Sequence, residues 1–147
     1  MKTITILSKM KMVLIGVFVV LLFSPLNSSA KKIKFNNSTV VPAAEGYVKI
    51  IKDSNKNYVF KIQVINLAGI ERMGSSKLTY VVWMETNQGE TENLGQLSSS
   101  TGFLSKQLKA TLETVSSFQP VKVFITTESE VNIQYPSEQI VLTTDRF

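Results

Sequence analysis

The residues best placed to do chemistry here are carboxylates, because the two most versatile side chains are missing. The chain contains no histidine and no cysteine. This removes Ser-His-Asp and Cys-His nucleophilic centres, thiolate and imidazole metal sites, and a histidine general base. A carboxylate pair or a Ser-Lys arrangement remains. Glu90 with Glu92, and Glu128 with Glu130, have the spacing that puts two side chains on one side of an extended strand. A glycoside hydrolase needs its two carboxylates about 5–9 Å apart across a sugar cleft. A spacing of two is common in any strand, and most acids here lie near turn sequences or strand ends. No catalytic residue is assigned, and the expectation is a protein without enzymatic activity.

Two further stretches invite a ligand. Asp53-Ser-Asn-Lys-Asn57 offers oxygen side chains at alternate positions, as a calcium loop does. Lys56 sits inside it, no glycine follows and the terminal acid is absent, so it reads as a hairpin loop. Neither a metal nor a cofactor is expected. Trp83 is the only tryptophan. Strand alternation groups it with Thr79, Val81 and Glu85, and puts Leu78, Tyr80, Val82 and Met84 on the other face. Both faces are apolar, so the strand is either central and covered on both sides or displays a patch. Trp83 reads as a core tryptophan, with stacking on a sugar as the alternative. Leu78, Tyr80, Val82 and Met84 form the candidate binding patch.

The elements that must position these residues read as strands. Tyr58, Phe60, Ile62 and Val64 alternate with Val59, Lys61, Gln63 and Ile65, a half-buried strand pattern. Tyr47–Lys52 precedes it across the Asp53–Asn57 loop, which predicts a hairpin. Leu67–Ser76 is long for a hairpin loop and suits a passage between two sheets. Leu78–Thr86 and Thr91–Leu97 flank the turn Asn87-Gln-Gly-Glu90, and Ser98–Gly102 reads as a loop. Phe103–Thr114 is ambiguous: Leu104, Leu108, Leu112 and Val115 fit helical spacing, whereas Leu104, Leu108, Ala110 and Leu112 share strand parity. Its all-β neighbourhood favours a strand. Pro120–Glu128 and Gln139–Thr144 complete about seven strands, with Ser129–Ser137 an irregular crossover. Turn signals every 8–12 residues predict an all-β sandwich or barrel.

The N-terminus has a different character. Lys2, Lys9 and Lys11 precede the uninterrupted apolar run Met12–Phe23, Pro25 ends that run, and Ser28-Ser29-Ala30 supplies small residues for cleavage. This is the anatomy of a secretory signal. The run is shorter than the roughly 20 residues a membrane-crossing helix needs. Residues 1–30 are therefore expected to be a signal peptide helix, 31–45 a polar lead and 46–147 one domain. The mature protein is expected in the periplasm or outside the cell, with no stable membrane span; the alternative is retention by an uncleaved anchor. Asn36-Asn37-Ser38-Thr39 is turn chemistry that also contains glycosylation sequons. The net charge of +5 owes much to the lysines of residues 1–30, and no basic patch with interleaved aromatics marks a nucleic-acid partner.

Tyr80-Val-Val-Trp83, the turn at Gly89 and Leu94-Gly95-Gln-Leu97 resemble the extracytoplasmic C-terminal domain of anti-sigma-K-type membrane regulators. Pro120-Val-Lys-Val-Phe-Ile-Thr-Thr-Glu128, Tyr135-Pro136 and Gln139-Ile-Val-Leu-Thr-Thr144 resemble it as well. The resemblance implies an immunoglobulin-like β-sandwich outside the cytoplasmic membrane, and a strand at Phe103–Thr114. Those regulators hold sigma factor through a cytoplasmic helical domain joined by a membrane helix, and no residue of that activity has a match here. The expectation is an exported envelope-associated binding or sensing module with an unidentified protein or envelope partner. The alternatives are a carbohydrate-binding module and an anti-sigma-related regulatory component.

Overall fold

A computed structural model of the chain describes residues 30–67, 79–101 and 108–147. Residues 1–29 of the expected signal peptide, the Leu67–Ser76 passage beyond Leu67, Leu78 and Phe103–Gln107 lie outside the described residues. Among the described residues there are nine strands: β1 (Ala30–Lys34), β2 (Glu45–Lys52), β3 (Tyr58–Ile65), β4 (Thr79–Thr86), β5 (Thr91–Gln96), β6 (Ser98–Thr101), β7 (Leu108–Ser116), β8 (Pro120–Glu128) and β9 (Ile140–Thr143). They form a five-stranded sheet in the order β1-β2-β3-β7-β6 and a four-stranded sheet in the order β5-β4-β8-β9. Every pairing is antiparallel. The fold is an all-β sandwich.

Alternation builds the core between the sheets. Val48 and Ile50 of β2 and Phe60, Ile62 and Val64 of β3 point inward from the larger sheet. Tyr80, Val82 and Met84 of β4, Leu94 of β5, and Val123 and Ile125 of β8 meet them from the smaller one. Burying each such side chain contributes roughly 1.5–3 kcal/mol relative to exposure, so with no disulfide available this layer is the principal source of stability.

Two strands exceed the seven expected, and both were hidden by composition. The polar lead contains β1, whose lysines suit a sheet edge, and its continuation is not all solvated. Phe35, Val41 and Ala44 are buried in the core, while Asn36 N–H donates to Thr143 O of the smaller sheet at 2.8 Å. The Ser38 hydroxyl donates to Val141 O and accepts from Val41 N–H. Residues 35–44 thus clasp the two sheets together. The hydroxyl run Ser98–Thr101, expected as a loop, pairs with β7 as β6. The ambiguous segment is a strand from Leu108 onward, because its partner β3 gives it a ladder of hydrogen bonds.

The loops follow their turn chemistry. Asp53 Oδ1 accepts from Asn55 N–H at 2.9 Å and Asn57 N–H at 2.8 Å, and Lys56 adopts φ 68°. The carboxylate that superficially opened a calcium loop is used to fold its own hairpin. Gly95, at φ +116°, follows the register shift between Val82 and Trp83, a bulge whose backbone disfavours a side chain.

Candidate functional site

The expected patch is covered by the fold. Tyr80 is 5% exposed, and Val82 and Met84 are fully buried. They face the opposite sheet, packed with Val48, Phe60 and Val64, so they offer nothing to a partner. This corrects the candidate site at Tyr80, Val82 and Met84; Leu78 lies outside the described residues. The physical reason is the second sheet: an apolar face read from one strand alone does not reveal that another sheet lies across it.

Trp83 is buried too, but in a separate layer. With Val81 and Phe124 it occupies the outer face of the smaller sheet, where Ile133 packs over it. The Trp83 and Phe124 rings stack at 6.4 Å between centroids with 15° between planes. Indole Nε1 donates to Thr126 Oγ1 at 2.8 Å; the Thr126 hydroxyl donates in turn to Glu128 Oε1. That carboxylate oxygen also accepts from Ser137 N–H at 2.8 Å. Asn93 Nδ2 donates to Val131 O at 2.9 Å and Ile133 O at 3.1 Å, tying the crossover down as a strap over the tryptophan. A sugar has no access to this indole.

The Glu128–Glu130 pair also separates. Glu128 is 2% exposed and engaged with Thr126 and Ser137, whereas Glu130 is exposed. Glu85, beside Trp83 on the same face, bridges Lys122 at 2.8 Å and Arg146. These arrangements are structural: Glu128 and Glu85 satisfy local donors.

The accessible feature is the outer face of the five-stranded sheet. Register resolves it into rows running across the strands. Ala30, Ile51, Val59 and Val115 form an apolar row, with Val115 57% exposed. Next, Lys32 lies opposite Lys49, Lys49 opposite Lys61, and Lys61 opposite Glu113. The row after that is Lys34, Tyr47, Gln63 and Thr111. Ile65 then lies between Glu45 and Lys109.

Within these rows lies a groove of about 360 Å³ lined by Lys32, Lys34, Glu45, Gly46, Tyr47, Gln63 and Ile65. Half-buried Tyr47 forms its centre. Its hydroxyl donates to Gln63 Oε1 at 3.3 Å, and Lys32 Nζ rests 3.9 Å from its ring centroid. Gly46 keeps β2 and β3 close: a Cβ there would stand 2.5 Å from Gln63 O. Lys61 pairs with Glu113 at 2.9 Å. Lys49 has no ion pair among the described residues.

Sequence reasoning did not single out this face. Tyr47, Lys49, Lys61 and Gln63 each look like ordinary outward residues of a half-buried strand. Only the register sets lysine against lysine over three strands, and no single-strand pattern contains that. No family model, curated protein or solved structure matches the chain.

Proposed function

We propose that this protein is an exported, non-enzymatic β-sandwich module that binds an envelope component through the outer face of its five-stranded sheet. The observation that carries the reading is the groove centred on Tyr47. It combines a half-buried aromatic ring with the amide of Gln63 and flanking charges, the mixture of apolar surface and directed polar groups that small ligand sites use. The apolar faces of β4 are enclosed. Export rests on Lys2, Lys9, Lys11, the Met12–Phe23 run and Ser28-Ser29-Ala30. Cleavage after Ala30 would leave Lys31–Lys34 to pair with Tyr47–Ile50, so β1 and the groove would survive maturation.

The finer immunoglobulin-like assignment and the kinship with anti-sigma outer domains rest on the hydrophobic motifs around Trp83 and Pro120–Glu128. Carbohydrate binding is favoured over a regulatory protein contact by the Tyr47–Gln63 pair, since ring stacking plus an amide suits a hydroxyl-rich ligand. The test is amide chemical-shift mapping during titration with a panel of soluble polysaccharides and peptides. Shifts centred on Tyr47, Gln63 and Thr111 support the reading. Shifts confined to the Trp83 sheet, or none with any ligand, overturn it.

A further inference from the structure

Resting on that reading of the binding face, we infer that its ligand is an acidic polysaccharide, held by the lysine ladder Lys32–Lys49–Lys61 with a sugar ring on Tyr47. Like charges directly opposite on neighbouring strands oppose sheet formation. Here three lysines stand in such a line, and the only acid in the row, Glu113, pairs with the last of them. The two rows that follow add Lys34 and Lys109 against Glu45, so five lysines face two glutamates on one surface. Strands about 4.7–4.9 Å apart fix the spacing of the ladder. A ligand with negative charges repeating along its length, lying across the strands, neutralises this array.

The neighbouring row distinguishes a glycan from a polyanion without rings. Lys32 Nζ covers the Tyr47 ring, a weak contact at an exposed site. A ligand carboxylate or sulfate draws the ammonium to its own oxygens and leaves the ring to a sugar. Gln63, held by the Tyr47 hydroxyl, and exposed Thr111 then supply hydrogen bonds to sugar hydroxyls. Polyglutamate gains from the lysines but has no ring to place on Tyr47.

The test uses an alginate oligosaccharide as probe, with cellohexaose as the neutral glycan and polyglutamate as the non-sugar polyanion. Isothermal titration of the purified protein is expected to show alginate binding that weakens as salt rises. Lys49→Gln should lower alginate affinity about tenfold, the scale of one charge-assisted contact, while raising the thermal unfolding midpoint at low salt because a repulsion is removed. Tyr47→Ala should weaken alginate and leave polyglutamate binding unchanged. Binding of cellohexaose but not alginate, with Tyr47 shifts, overturns the acidic class while the binding face stands. Equal binding of alginate and polyglutamate, insensitive to Tyr47→Ala, overturns the glycan. No binding by any probe, with no shifts on this face, overturns both.

Discussion

Trp83 and Thr126 are joined diagonally across β4 and β8, the indole N–H donating to the threonine hydroxyl at 2.8 Å. Because that hydroxyl spends its own hydrogen on Glu128, Thr126 satisfies two buried groups at once. Thr126→Val keeps the shape and removes both bonds. The expected loss is about 1–3 kcal/mol for each buried polar group left without a partner, read as a lowered urea midpoint at unchanged slope. Thr126→Ser should recover most of it. A Thr126→Val midpoint equal to wild type would show that this relay contributes nothing.

Asn93 controls access to the same indole. Its side chain donates to two carbonyls of the strap and accepts from Gly95 N–H at 2.9 Å. Asn93→Ala is expected to cost on the order of 1–2 kcal/mol and to raise acrylamide quenching of Trp83, while far-ultraviolet circular dichroism stays unchanged. Quenching equal to wild type would mean that Ile133 alone seals the site.

Tyr80 should ionise above the ordinary phenol range. Burial pushes its phenol above the ordinary value of 10.0. The fold therefore favours the protonated form, so this group's contribution to stability is complete below about pH 10 and is lost as pH rises through its folded value. A spectrophotometric titration should show an ionisation displaced above the ordinary phenol value of 10.0 that is absent in Tyr80→Phe. Alkaline unfolding of that variant should be less steep above pH 10.

The inward row of β4 leads to a contrasting expectation. Val82 and Met84 lie between the sheets, so Met84→Ala should destabilise by about 2–5 kcal/mol through lost burial and a cavity. Ligand affinity of the fraction that remains folded should be unchanged. Loss of affinity without loss of stability would restore the patch.

Sequence pattern was informative where one strand carries its own signal. The alternation of Tyr58–Ile65 and the turn residues of Asp53–Asn57 correspond to β3 and its hairpin. It failed where the signal belongs to a partner. Ser98–Thr101 has no apolar side to announce a strand, and only pairing with β7 makes one. Lysines disguised β1 as a solvated lead. On β4 both faces are apolar, so periodicity alone did not say which looked toward the second sheet; Trp83 turned out to face the strap. The groove was the least legible feature, since Tyr47, Gln63 and the lysines meet only after three strands are set in register.

The lysines of β1 also bear on how the molecule treats copies of itself. An edge strand carries unpaired backbone groups that can recruit another strand, and charge is a common guard against this. Three of the five residues of β1 are lysine. A second copy approaching edge to edge would bring like charges together at each of them, so this edge favours dispersed molecules over continuous sheets. Neutralising those lysines would weaken the guard, which makes turbidity at saturating polyanion a direct report on colloidal behaviour.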